Sequence, residues 1–176
     1  GVEAHTHEYI TTGQDDSKFG FGVSNGQAMQ AIELALQKSN YNVLGIHSHI
    51  GSQIFETAGF VRAIEVLHQF LEEVRERTNY VVKVLNVGGG FGIRYTESDT
   101  PLTLETYVRA VTSAVREQFT VCNYPLPEIW VEPGRSIVGD AGTTLYTVGS
   151  VKDIPGIRKY VSVDGGMTDN LRPALY

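Results

Sequence analysis

The chain has 176 residues, enough for one ordinary domain with a sizeable core, and its 41% hydrophobic and 19% charged content is that of a soluble globular protein. A net charge of −6 with scattered basic residues argues against nucleic acid and membrane surfaces as partners, and no apolar run reads as a transmembrane helix or signal peptide. The single cysteine, Cys122, excludes an internal disulfide and suits a cytoplasmic location; it reads as a small residue after Phe119-Thr120-Val121 rather than a reactive thiol.

Gly1 to His7 has neither cap nor turn and reads as the tail of a strand from something longer, and Thr11 to Ser17 is loop-like. A short strand is predicted over Phe19-Gly20-Phe21-Gly22-Val23. Ser24 with Gln27 has capping-box spacing, ahead of a helix with the apolar stripe Met29, Ile32 and Leu36. Val43 to His49 is an apolar strand that runs into Ile50-Gly51-Ser52-Gln53. From Thr57 to about Arg77, Val61, Ile64, Leu67, Leu71 and Val74 recur at helical steps, opposite Glu65, Glu72, Glu73 and Glu76. Val81 to Val87 is a second apolar strand, ending on Gly88-Gly89-Gly90. A third helix is predicted to start near Pro101 and to bury Leu104, Val108, Val111 and Val115. The third strand, Ile129-Trp130-Val131, closes on Glu132-Pro133-Gly134-Arg135.

Helices alternating with continuously apolar strands predict parallel strands covered by helices, hence an α/β architecture. Three strands cannot close a barrel, and an open sheet of them has exposed edges. After Arg135 the pattern changes. Thr143 to Val151 alternates like a two-faced strand, Pro155-Gly156 marks a turn, and Lys159 to Asp164 is another strand. A boundary is therefore placed between Gly139 and Gly142, with an α/β part over residues 1–139 and an all-β part over 140–176.

All three apolar strands end in polar, glycine-rich turns, which predicts one site built from several strand ends. If Trp130 faces inward, so does Glu132, since alternate strand residues share a face. A carboxylate there is costly to bury unless paired. Either it salt-bridges Arg135, or it holds a proton on a heteroaromatic ring nitrogen, as pyridoxal phosphate requires. Arg135 offers a two-pronged grip on carboxylate or phosphate. Gly88, Gly89 and Gly90 expose backbone N–H groups to a phosphate or simply make a tight turn. His47 and His49 share a face as a metal pair, a catalytic pair or satisfied core histidines. Ser52 is an anion donor or an ordinary turn serine. Near the end of the chain, Arg172 and Tyr176 lie four residues apart as an anion grip.

Taken together, His47 to Gln53, Gly88-Gly89-Gly90-Phe91-Gly92, Glu132-Pro133-Gly134-Arg135-Ser136 and Asp164-Gly165-Gly166 through Leu171-Arg172-Pro173-Ala174-Leu175-Tyr176 closely resemble the diaminopimelate decarboxylase family. That family belongs to the alanine-racemase-like class of pyridoxal-phosphate decarboxylases. The resemblance implies the later strands of a (β/α)8 TIM-type barrel followed by the start of a β-sandwich, in a homodimer with sites at the interface. It implies that His49 stacks on the cofactor ring and that Glu132 pairs with its nitrogen. Ser52, Gly88, Gly89, Gly90 and the Gly134-Arg135 backbone would hold the phosphate. Arg135, Arg172 and Tyr176 would bind a small amino-acid substrate. The implied reaction is loss of carbon dioxide from the D-configured centre of meso-diaminopimelate, giving L-lysine. A distal carboxylate suits Arg172, whereas ornithine-type relatives bind a distal amine.

The family's cofactor lysine sits in a Tyr-Ala-x-Lys-Ala-Asn context that none of Lys18, Lys38, Lys83, Lys152 and Lys159 matches, and its later Cys-Glu motif is also missing. The chain therefore reads as the middle of a longer enzyme and inactive by itself. A decarboxylase of another basic amino acid, such as arginine, is the near alternative. A barrel metallohydrolase using His47 and His49 is the alternative from another class.

Overall fold

Three short strands, β1 (Gly45–His47), β2 (Val84–Asn86) and β3 (Glu128–Trp130), form a parallel sheet in chain order. The computed structural model describes residues 19–171. Each strand is shorter than its apolar run, because regular pairing ends where the chains turn toward their loops. Gly45 is required at the start of β1, since a β-carbon there would lie 1.7 Å from the carbonyl oxygen of Val84.

Helix α1 (Gln27–Leu36) precedes β1, α2 (Ala58–Thr78) joins β1 to β2, and α3 (Leu104–Val121) joins β2 to β3. Ile46, Leu85 and Ile129 are register partners across the sheet, and all three lie in or against the main core. That core is filled by Phe60, Ile64 and Leu71 from α2 and by Tyr107, Val111 and Phe119 from α3. Each fully buried aliphatic or aromatic side chain of this kind contributes about 1.5–3 kcal/mol. The next register row, His47, Asn86 and Trp130, must face away from the helices. Two residues further along each strand come His49, Gly88 and Glu132, on that same face. Met29 of α1 packs on Phe70 and Val74 of α2 as a smaller cluster.

Five local expectations need correction. Residues 19–23 form no strand: Gly20 has φ 66°, and the carbonyls of Gly22 and Val23 accept from Ala28 and Gly26, folding the segment onto the start of α1. The Ser24–Gln27 capping box does not form, because Gly26 is the N-cap at φ 80° and Asn25 Oδ1 accepts the Gln27 N–H at 3.0 Å. Helix α3 begins at Leu104 and not near Pro101; Thr103 is its N-cap and accepts from the Thr106 amide. Leu104 and Val108 are exposed, and Tyr107, Ala114 and Phe119 are buried with the expected Val111 and Val115. The aromatic face wins because Tyr107 and Phe119 bury more area, and the Tyr107 hydroxyl reaches the Ile54 carbonyl oxygen at 2.6 Å. The expected strand from Thr143 starts only at Val148.

Contacts divide the chain into two compact units, Gly1–Gly139 and Asp140–Tyr176. The first ends in a short helix, α4 (Gly134–Val138). The second contains the antiparallel hairpin β4 (Val148–Ile154) and β5 (Arg158–Val163), irregular between Val148 and Val151. Its turn uses Gly156 at φ 74°, with the Ile157 amide bonded to the Ile154 carbonyl. Asp164 Oδ1 accepts the Thr147 N–H at 2.8 Å, a backbone bond that lowers the Asp164 carboxyl below its usual range.

Candidate functional site

The ends of β1, β2 and β3 and the loops that follow them converge. Phe91, directly after the glycine triplet, is buried between Phe60 and Tyr107, with ring centroids 5.3 and 5.1 Å away. Ile54 and Phe91 form a parallel bridge: the Ile54 amide donates to Gly90, and the Gly92 amide donates to Ile54. The glycine loop is thus anchored to the core through Gly90 and Gly92, with Gly88 and Gly89 buried.

Glycine is obligatory in this loop. At Gly88 (φ 72°) a β-carbon would sit 2.7 Å from the Ser48 carbonyl oxygen and 3.0 Å from His49 Nδ1. At Gly90 (φ 89°) it would sit 2.1 Å from the carbonyl oxygen of Gly51, the residue before Ser52. The tight-turn reading holds: a β-carbon has no room at Gly88 or Gly90, and the Asn86 and His49 side chains accept the Gly88 and Gly89 N–H groups.

His49 Nδ1 accepts the Gly89 N–H at 3.3 Å, which leaves the ring proton on Nε2 when the imidazole is neutral. Burial holds the His49 pKa below 6.5, His47 pushes it the same way, and Glu132 opposes them. The Glu132 amide donates to the Gly88 carbonyl at 2.8 Å and so joins β3 to the glycine loop. Its side chain points to the same open face. Asn86 Nδ2 donates to Glu132 Oε1 at 2.8 Å, and His47 Nε2 lies 3.4 Å from Oε2. Asn86 Oδ1 accepts the Gly88 N–H at 2.9 Å.

The Glu132–Arg135 salt bridge, one of the two alternatives for the carboxylate, is not formed; each side chain has other partners. Arg135 Nη1 donates to Gln53 Oε1 at 3.2 Å, and the guanidinium lies 5.7 Å from the Tyr95 ring centroid. Helix α4 starts at once after Pro133 and carries Arg135 away from the carboxylate. Gly134 has open space where a β-carbon would stand. Ser52 is half-buried in the loop that abuts Gly90. Arg172 and Tyr176 lie outside the described residues.

Asn86 and Gln53 were missed as site residues from sequence. Asn86 carried a usable signal: a polar residue closing an apolar run two positions before Gly88, as Trp130 stands two before Glu132. Gln53 carried only its place in the strand-end turn Ile50-Gly51-Ser52-Gln53.

A half-buried imidazole, a carboxylate held by an amide and a glycine loop thus meet on one face. A family model described as pyridoxal-dependent decarboxylase, pyridoxal binding domain, matches residues 1–139. The chain belongs to the pyridoxal-dependent decarboxylases. Within that family it is 62% identical to diaminopimelate decarboxylase of Bacillus subtilis (strain 168), over 100% of this chain and 40% of that protein. It is 42% identical to the enzyme of the same name from Mycobacterium tuberculosis (strain H37Rv), over 100% of this chain and 41% of that one. The solved diaminopimelate decarboxylase of M. jannaschii in complex with L-lysine superposes with a TM-score of 0.84 at 35% identity, covering 99% of this chain and 39% of that one. The Helicobacter pylori enzyme with L-lysine gives 0.81 at 30%, covering 99% and 41%. The chain thus spans about 40% of the length of the curated relatives it matches. Its parallel strands and helices are part of the alanine-racemase-like barrel of these decarboxylases.

Proposed function

We propose that this chain forms the pyridoxal-phosphate-holding part of a diaminopimelate decarboxylase that converts meso-diaminopimelate to L-lysine. The observation that carries the reading is the meeting of His49, Glu132 and the Gly88–Gly90 loop on one face, joined by the Gly89–His49 and Glu132–Gly88 hydrogen bonds. The residues fit the cofactor in kind: a carboxylate and an imidazole suited to its ring stand beside a glycine loop that has no room for a β-carbon. When bound, pyridoxal phosphate supplies an electron sink for the pair released with the lost carboxylate.

The chain's own residues then have distinct tasks. Glu132, with Asn86 holding one of its oxygens, would keep a proton on the ring nitrogen. His49 would lie against the ring, and since burial lowers its pKa it would add little positive charge there. Ser52, Gly88, Gly89, Gly90 and the Gly134-Arg135 backbone would hold the phosphate. Arg135, Arg172 and Tyr176 bind the amino-acid substrate, and these remote grips supply positioning energy for the reacting centre. The reading extends to a homodimer in the cytoplasm, which sedimentation and cell fractionation test.

The full-length enzyme, supplied with pyridoxal phosphate, is expected to release carbon dioxide from meso-diaminopimelate and far less from arginine. Glu132→Gln is expected to lower that rate about 100-fold. No turnover of meso-diaminopimelate by the full-length enzyme overturns the reading, and preferential turnover of arginine moves it to the related decarboxylase. The metallohydrolase alternative gains no support from the described residues, which contain no group of three or more His, Cys, Asp or Glu side chains able to hold a metal ion.

A further inference from the structure

Three non-glycine residues among those described have positive φ: Gln53 at 60°, Asn79 at 56° and Asn123 at 51°. The two asparagines are of the type that tolerates this conformation, and they stand at or just beyond the ends of α2 and α3. Gln53 has neither excuse. The backbone at this position favours glycine, so the side chain must make up for the strain.

The side chain reaches the loops after all three strands. Its amide pairs in both directions with the Ile93 backbone: Nε2 donates to the Ile93 carbonyl at 2.6 Å, and Oε1 accepts the Ile93 N–H at 3.2 Å. Ile93 follows the glycine loop and is buried. That pair fixes Oε1 in space, and the same oxygen accepts from Arg135 Nη1 at 3.2 Å. The Tyr95 ring, 5.7 Å from the guanidinium carbon, limits its tilt from one side. One N–H of the arginine is therefore tied to a neutral acceptor, while others of its five donors stay available to an anion. A carboxylate at position 53 would act differently. It would take the arginine as a charged pair and leave the Ile93 carbonyl without its donor.

We propose that Gln53 is a positioning residue that aims the Arg135 guanidinium at a carboxylate of the substrate and, being neutral, leaves its charge unspent. The inference rests on the reading of Arg135 as a substrate grip given above.

The test is a double-mutant cycle in the full-length enzyme with Gln53→Gly, Arg135→Lys and their combination, plus Gln53→Glu. Glycine accepts the φ of 60° and removes only the side chain, so the loop keeps its backbone. Gln53→Gly is expected to raise KM for meso-diaminopimelate about tenfold, with the cofactor's visible absorbance and its affinity for pyridoxal phosphate unchanged. Gln53→Glu is expected to raise KM further. In the Arg135→Lys background Gln53→Gly should add little. If Arg135→Lys raises KM but Gln53→Gly does not, or if the two effects simply multiply, the positioning role is overturned while the substrate grip stands. Loss of cofactor affinity in Gln53→Gly also overturns it, assigning the side chain to loop closure. If Arg135→Lys itself leaves KM unchanged, the reading of Arg135 fails and this inference fails with it.

Discussion

Replacing Gly89 with alanine isolates the steric demand of the glycine loop. Gly89 is not among the residues at positive φ, so alanine meets no backbone strain there. The added β-carbon would nevertheless lie 2.0 Å from the Glu132 carbonyl oxygen, against roughly 3.3 Å for an ordinary carbon–oxygen contact. The obstacle is backbone and cannot rotate aside, so the β2 and β3 loops must separate. Overpacking of this kind costs about 1–3 kcal/mol, and weakening the 2.8 Å bond from the Glu132 amide to Gly88 adds about 1 kcal/mol. Gly89→Ala should therefore destabilise the enzyme by about 2–4 kcal/mol. Because the movement carries Glu132 with it, affinity for pyridoxal phosphate should fall as well. Urea unfolding of the full-length enzyme measures the first effect, and titration of the cofactor's visible band measures the second. A loss below about 1 kcal/mol with an unaltered titration would refute the contact between these two loops.

Asn86→Asp places a second carboxylate against Glu132 and raises its proton affinity; kcat is expected to drop about tenfold, with the acid limb of the pH–rate profile moved upward. An unmoved limb counts against the Asn86–Glu132 bond. His49 should titrate below 6.5 in the histidine NMR spectrum of the cofactor-free enzyme, because burial disfavours its charged form. The unfolded chain then binds the proton first as pH falls through 6.5, so this histidine's contribution to stability is lost on acidification; a midpoint at or above 6.5 contradicts it. Leu71→Ala, at a fully buried position on α2, is expected to cost about 2–5 kcal/mol in the same urea assay, and a change near zero would mean that α2 does not cover the sheet.

Sequence periodicity alone determined the alternation of α1 to α3 with β1 to β3, the parallel sheet and which residues share a face at the strand ends. Alternation along a strand is a local property, so the step from Trp130 to Glu132 and from His47 to His49 could be read from spacing, and Ile64, Leu71 and Val74 from helical repeat. Local pattern failed wherever two apolar faces competed. Leu104 and Val108 share a stripe on α3, yet Tyr107 and Phe119 are turned inward because that face meets Ile54 and Tyr124 in space. Ser24 had the right spacing for a cap and lost to Gly26, whose left-handed backbone starts the helix later. The partners of Glu132 and Arg135 were beyond any local reading, since Asn86 lies 46 residues from one and Gln53 lies 82 from the other. Hydrogen bonds over such separations are set by the register of the sheet and the path of three loops, and only the tertiary fold decides which side chains those loops bring within reach.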